Sequence, residues 1–115
     1  MTNQQIPFSV LDLMPTRKDR THHQTMRYTL EAAQAVERFG FNRYWVAEHH
    51  NAGSLLSSAT VVVMAEIAAA TERIRVGSGG IMLPNHAPYV VAEQFGTLEA
   101  FHPGRIDLGL SLIHI

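Results

Sequence analysis

Glu48, His49 and His50 stand together at the end of an apolar, aromatic-rich run, Trp45-Val46-Ala47, and are the residues of this chain best equipped for chemistry. A buried strand ending in one carboxylate and two imidazoles exposes ionisable groups at its carboxyl tip, where parallel α/β proteins place ligands and catalysis. Imidazole moves protons near neutral pH, and a well-placed general acid or base is worth about 10²–10⁴-fold in rate. Side chains alternate along an extended segment, so Glu48 and His50 are expected to face one way and His49 the other. Histidine and glutamate are also zinc and iron ligands, so His49 and His50 could serve a metal-dependent barrel hydrolase. Against that alternative, the sequence has no His-Glu-x-x-His and no second cluster at ligand spacing. His22-His23 falls in a polar loop, and His86 and His102 flank a helix. The residues are therefore read as a site without a metal.

Gly77-Ser78-Gly79-Gly80 is the second candidate. Glycine weakens a strand, so a glycine-rich strand end marks a bulge or the close approach of a ligand to bare backbone. It is not a phosphate loop, because the Lys-Ser/Thr ending is missing. Asp12, near the end of the first strand, is a weaker candidate. Arg105 and Asp107 share a strand face and are expected to be structural.

Elements that would position these groups alternate regularly. Phe8 to Leu13 reads as a strand stopped by Pro15, and Pro15 to His23 as a loop. From about Thr25 the apolar residues Met26, Leu30, Ala33 and Val36 fall at helical spacing, and Gly40 ends that helix. Arg43 to Ala47 is the second strand. Ser57 or Ser58 is expected to cap a helix over residues 59–70, in spite of its three consecutive valines. A third strand runs from Ile74 through the glycines to Leu83. Pro88 starts a third helix that reaches Phe101, and residues 105–110 form a fourth strand. The order β-α-β-α-β-α-β means a parallel sheet with crossover helices. No Gly-x-Gly-x-x-Gly turn follows the first strand, so a (β/α)₈ barrel is favoured over a dinucleotide fold. At 115 residues the chain holds about four of the eight units.

Composition narrows the function classes. A net charge of -1 with 17% charged residues gives no basic surface for nucleic acid or anionic membrane. There are no cysteines, which excludes disulfides and thiolate metal sites. Neither a secretory leader nor an apolar run long enough to span a bilayer is visible, so a cytoplasmic location is expected.

Ala47-Glu48-His49-His50, the strand from Val76 to Pro84, Pro84-Asn85-His86-Ala87-Pro88, and Pro103-Gly104-Arg105-Ile106-Asp107-Leu108-Gly109 together resemble the bacterial luciferase-like monooxygenase family, specifically its single-chain flavin-dependent oxidoreductases. The resemblance covers about residues 6 to 110. It implies a TIM (β/α)₈ barrel of the luciferase-like type, reduced FMN as co-substrate at the carboxyl face, and oxidation of a small organic substrate by O₂. A deazaflavin is the alternative cofactor and a flavin reductase the supplier of reduced flavin; two copies could pair into a homo-oligomer, though nothing in the sequence specifies one. Carried over residue by residue, His49 is the acid–base group and Glu48 a carboxylate beside the flavin. Gly77, Ser78 and Gly79 match the segment behind the ring, with a non-prolyl cis peptide expected at Ser78-Gly79.

Such relatives continue Gly-Arg-Ala-Pro-Gly after the fourth strand, whereas this chain reads Ser111-Leu112-Ile113-His114-Ile115. Residues 1–110 are accordingly read as the amino-terminal half of a luciferase-like barrel. Residues 111–115 are read as an atypical tail from truncation or a frame-shift. The rival to an active enzyme is a catalytically inactive half-barrel fragment.

Overall fold

A computed structural model describes residues 5–111; the last four residues of the expected tail lie outside them. Strands β1 (Ser9–Asp12), β2 (Arg43–Val46), β3 (Arg75–Ser78) and β5 (Ile106–Asp107) form one four-stranded sheet in the order β1-β2-β3-β5. Every pairing in it is parallel. Helices α1 (His22–Arg38), α2 (Thr60–Ala70) and α3 (Pro88–Phe101) provide the crossovers. Two short strands, β4 (Ile81–Met82) and β6 (Leu110–Ser111), pair separately beyond the carboxyl ends of β3 and β5. The alternation expected from the sequence is the observed one.

Alternate residues divide the sheet into two unlike faces. Tyr44, Val46 and Val76 point into a core with Ala33 of α1, Val63, Met64 and Ile67 of α2, and Val91, Phe95 and Leu98 of α3. Fully burying a side chain such as Ile67 stabilises by about 1.5–3 kcal/mol, so this layer anchors the helices to one side. The other face carries Leu11, Trp45, Gly77 and Asp107 in one row, with Arg43 and Arg75 in the row beneath. Leu11 is 55% exposed there.

Four local departures from the sequence reading stand out. Helix α1 begins at His22, because Thr21 and Gln24 form a reciprocal capping box that satisfies two backbone N–H groups. Neither Ser57 nor Ser58 caps α2: its N-cap is Ala59, and the Ser57 hydroxyl donates instead to the Ala47 carbonyl. The single third strand is two, β3 and β4, broken at Gly79-Gly80, and the fourth likewise splits into β5 and β6. The cis peptide lies at Gly79-Gly80, one bond later than expected. The Gly79 N–H still donates to Val46 in the β2–β3 ladder, so the ladder holds the Ser78-Gly79 peptide and the chain turns only afterwards, toward Gly109.

Ion pairs tie the Trp45–Gly77–Asp107 row of the sheet to the arginines in the row beneath it. Asp107 accepts from Arg43 at 2.6 Å and from Arg75 at 2.7 and 2.8 Å. Arg105 does not pair with Asp107: its guanidinium donates to Ile74, Ala68 and Thr71, fastening β5 to the end of α2. Glu37 of α1 accepts backbone N–H bonds from Glu72, Arg73 and Ile74, closing the turn that launches β3.

Candidate functional site

The β2 tip is built by its neighbours. The Ala47 carbonyl accepts from the hydroxyls of Ser57 and Thr60, and the His49 N–H donates to the Ser57 carbonyl at 2.7 Å. The backbone leaving β2 is thus bound to the segment that starts α2. Glu48 then turns inward, its side chain only 1% exposed, while His49 and His50 are exposed.

Glu48 gathers three donors. Its Oε1 lies 2.6 Å from His50 Nε2 and 2.6 Å from His86 Nε2, and its Oε2 accepts the Met82 N–H at 2.7 Å. Burial by itself pushes this carboxyl upward, but the bonds from His50, the Met82 N–H and His86 outweigh it and hold the group below its ordinary range. The carboxylate is ionised at neutral pH and occupied on both oxygens. It bridges the β2 tip to β4 and to His86, which follows the 3₁₀ turn Leu83–Asn85.

Glu48 and His50 meet on one side, in agreement with strand alternation, and His49 takes no part in their cluster. The sequence places His86 beside a helix and inside the Pro84–Pro88 motif, with no link to the β2 tip. It lies 38 positions from Glu48, so no local spacing signals their meeting; the Pro84–Pro88 bracket is the one hint. The pairing of His49 with His50 considered for a metal is replaced by Glu48, His50 and His86, whose ligating atoms all fall within 4.8 Å of one another.

The glycine segment presents a ledge beside the tips. Gly77 is buried beneath Trp45, and a carbon added to it would come within 2.4 Å of the indole. Ser78 is fully buried, its hydroxyl donating to the Gly109 carbonyl and accepting the Gly109 N–H. Gly79 is exposed, and a carbon there would sit 3.4 Å from both Leu11 Cδ1 and Trp45 Cβ. So Gly79 alone of the three offers bare backbone to a ligand, on a strip bordered by Leu11 and Trp45. The strip is apolar and free of a side chain at Gly79, as stacking of a flat ring requires, and the donors beside it are imidazole and backbone.

Asp12 is committed to the scaffold. It accepts from Tyr44 Oη at 2.7 Å, from the Thr29 hydroxyl at 3.1 Å and from the Met14 N–H at 2.7 Å. A cavity of about 510 Å³ lies at the other end of the sheet, among Phe8, Phe41, Asn42 and Arg73, away from the ionisable strand tips.

Comparison with known proteins agrees with this architecture. The family described as luciferase-like monooxygenase matches residues 6–111. A luciferase-like monooxygenase of Escherichia coli (strain K12) is 49% identical over 110 residues, covering 96% of this chain and 33% of that protein. The crystal structure of apo-MsnO8 superposes with a TM-score of 0.89 at 40% identity, over 92% of this chain and 32% of that one. The oxygenating constituent of 3,6-diketocamphane monooxygenase from Pseudomonas putida, a type II Baeyer-Villiger monooxygenase solved with FMN, shares the fold with a TM-score of 0.87 at 20% identity, over 96% and 30% of the two chains. The chain spans about a third of the length of these relatives. Among the described residues, no helix is long and apolar enough to cross a membrane. By sequence and by fold, the chain belongs to the luciferase-like monooxygenase family.

Proposed function

We propose that this chain carries strand tips of a flavin-dependent monooxygenase, with His49 as its acid–base group. The observation behind the reading is the placement of an exposed His49 beyond the β2 tip, at the same end of the sheet as the open strip of Leu11, Trp45 and Gly79. Reduced FMN, when bound, supplies the two electrons by which O₂ adds one oxygen atom to a small organic substrate and releases the other as water. A deazaflavin has the same flat tricyclic shape and is the alternative for the same surface.

The chain's own residues have distinct tasks in this proposal. Gly79 leaves the strip without a side chain, so a ring can lie against backbone between Leu11 and Trp45. Gly77 lets the indole lie close to β3, and Ser78 ties the strip from behind to Gly109. The apolar surface keeps water from one face of the ring. Glu48 fixes the segment around His49 through His50 and His86, so the His49 imidazole can hold or deliver a proton at a set position. A flavin reductase would supply the reduced cofactor, and a second copy would complete an oligomer.

The test is an anaerobic titration with reduced FMN, followed by the fluorescence of the sole tryptophan, Trp45. Saturable one-to-one binding that weakens in Leu11→Arg and Gly79→Val is expected. Absence of binding by the folded wild-type chain removes the flavin reading. Where turnover is measured, His49→Ala is expected to lower it more than about tenfold with flavin binding retained. A second reading, association without turnover, is favoured by the uncovered Leu11 face, and a stable oligomer that binds no flavin would select it.

A further inference from the structure

The cluster formed by Glu48, His50 and His86 has more order than a proton-moving histidine beside it requires. One deeply buried carboxylate receives two imidazoles from separate parts of the chain, both through Nε2 and both at 2.6 Å from the same oxygen. Its other oxygen is fixed by the Met82 N–H, the kind of outer hydrogen bond that orients a carboxylate ligand. The two imidazoles are 43% and 32% exposed, so one side of the cluster opens to solvent.

We infer that Glu48, His50 and His86 form a site for a borderline divalent metal ion, zinc foremost, with one position left to water. Two histidines and a glutamate are a known zinc donor set, and three protein ligands with an open fourth position is the arrangement of an accessible site. Metal–ligand bonds of about 2.0–2.1 Å at tetrahedral angles separate neighbouring ligand atoms by roughly 3.3 Å. The present 2.6 Å contacts therefore widen by about 0.7 Å, while the two imidazole nitrogens, within 4.8 Å of each other, settle at the same spacing through rotation of partly exposed side chains. Each imidazole then carries its remaining proton on Nδ1 and turns the Nε2 lone pair to the ion. The nitrogen-rich set and a single carboxylate select against magnesium and calcium, which take oxygen ligands. A bound ion would join the β2 tip to the segment following β4, on either side of which His49 stays unligated. The inference is independent of flavin binding.

The experiment is a titration of the chelator-treated chain with Zn²⁺ by calorimetry and with Co²⁺ by visible absorption. Wild type is expected to bind one equivalent. His50→Gln and His86→Gln keep an N–H donor toward Glu48 but lose the imidazole, and each is expected to weaken binding at least tenfold with an unchanged circular dichroism spectrum. His22→Ala/His23→Ala removes the exposed histidine pair of α1 and is expected to change nothing. No binding by wild type, or binding that follows His22 and His23 and ignores His50 and His86, overturns the site. A parallel FMN titration separates the two readings: zinc at this cluster without FMN binding removes only the flavin proposal, and the converse removes only the metal site.

Discussion

Trp45 lies directly over Gly77: a methyl group on Gly77 would stand 2.4 Å from Cζ3 and 2.5 Å from Cε3 of the indole. The Arg43 guanidinium carbon also lies over this ring, 4.7 Å from its centroid. Gly77→Ala must displace the indole and is expected to cost about 1–3 kcal/mol in urea unfolding. In a Trp45→Ala background the same substitution should cost much less, because the obstruction is gone. Equal costs in both backgrounds would show that the indole does not occupy this position.

Asp12 is expected to matter for stability. Tyr44 is 1% exposed, and Asp12 is the acceptor for its hydroxyl. Asp12→Ala strands that buried hydroxyl and should destabilise by about 1–3 kcal/mol. Burial, with the Asp12 carboxylate beside it, pushes the Tyr44 phenol far above its ordinary range. In an alkaline absorbance titration, Tyr44 should therefore ionise only as the fold is lost.

Glu37 predicts the acid limb of the stability curve. Burial raises its carboxyl, but the backbone N–H groups of Ile74, Arg73 and Glu72 more than offset this and leave it below its ordinary range. A carboxylate whose folded value is depressed stabilises fully above its unfolded value, near about 4.3, and loses that contribution as pH falls through the folded value. Stability should decline below about pH 5, and Glu37→Gln should flatten that decline. At neutral pH the same substitution should cost on the order of 1 kcal/mol, since the turn is solvent-facing. Urea midpoints from pH 7 to pH 3 check all three.

Much of this fold is written in local pattern. Pro88 and the spacing of Val91, Phe95 and Leu98 mark α3 at both ends, and it spans Pro88–Phe101 as read. The valines of α2 are helical because Val63, Met64, Ile67 and Ala68 bury against the sheet while Val62 remains exposed. The start of α1 is written as Thr-x-x-Gln, but the polar residues around it carry no helical periodicity and read as loop. Where the strands break, pattern fails: an apolar run across Gly79-Gly80 looks continuous, and only the pairing of Ile81 with Leu110 divides it. The site divides similarly. Glu48 and His50 meet because they lie two residues apart in the segment that leaves β2, whereas His86 reaches them only through the folded path of β3 and β4.

The parallel pairing has a consequence in time. Ser9 pairs with Arg43, Arg43 with Arg75, and Val76 with Ile106, so no strand finds its neighbour among nearby residues. At roughly 5–20 residues per second of synthesis, β1 waits about 2–7 s for β2 to be made, and each later strand waits nearly as long. Through each interval a nascent chain presents Val10 and Leu11 on an unpaired edge. Factors that shield emerging polypeptides, more than any single contact in the finished molecule, would then decide how much of this protein a cell obtains.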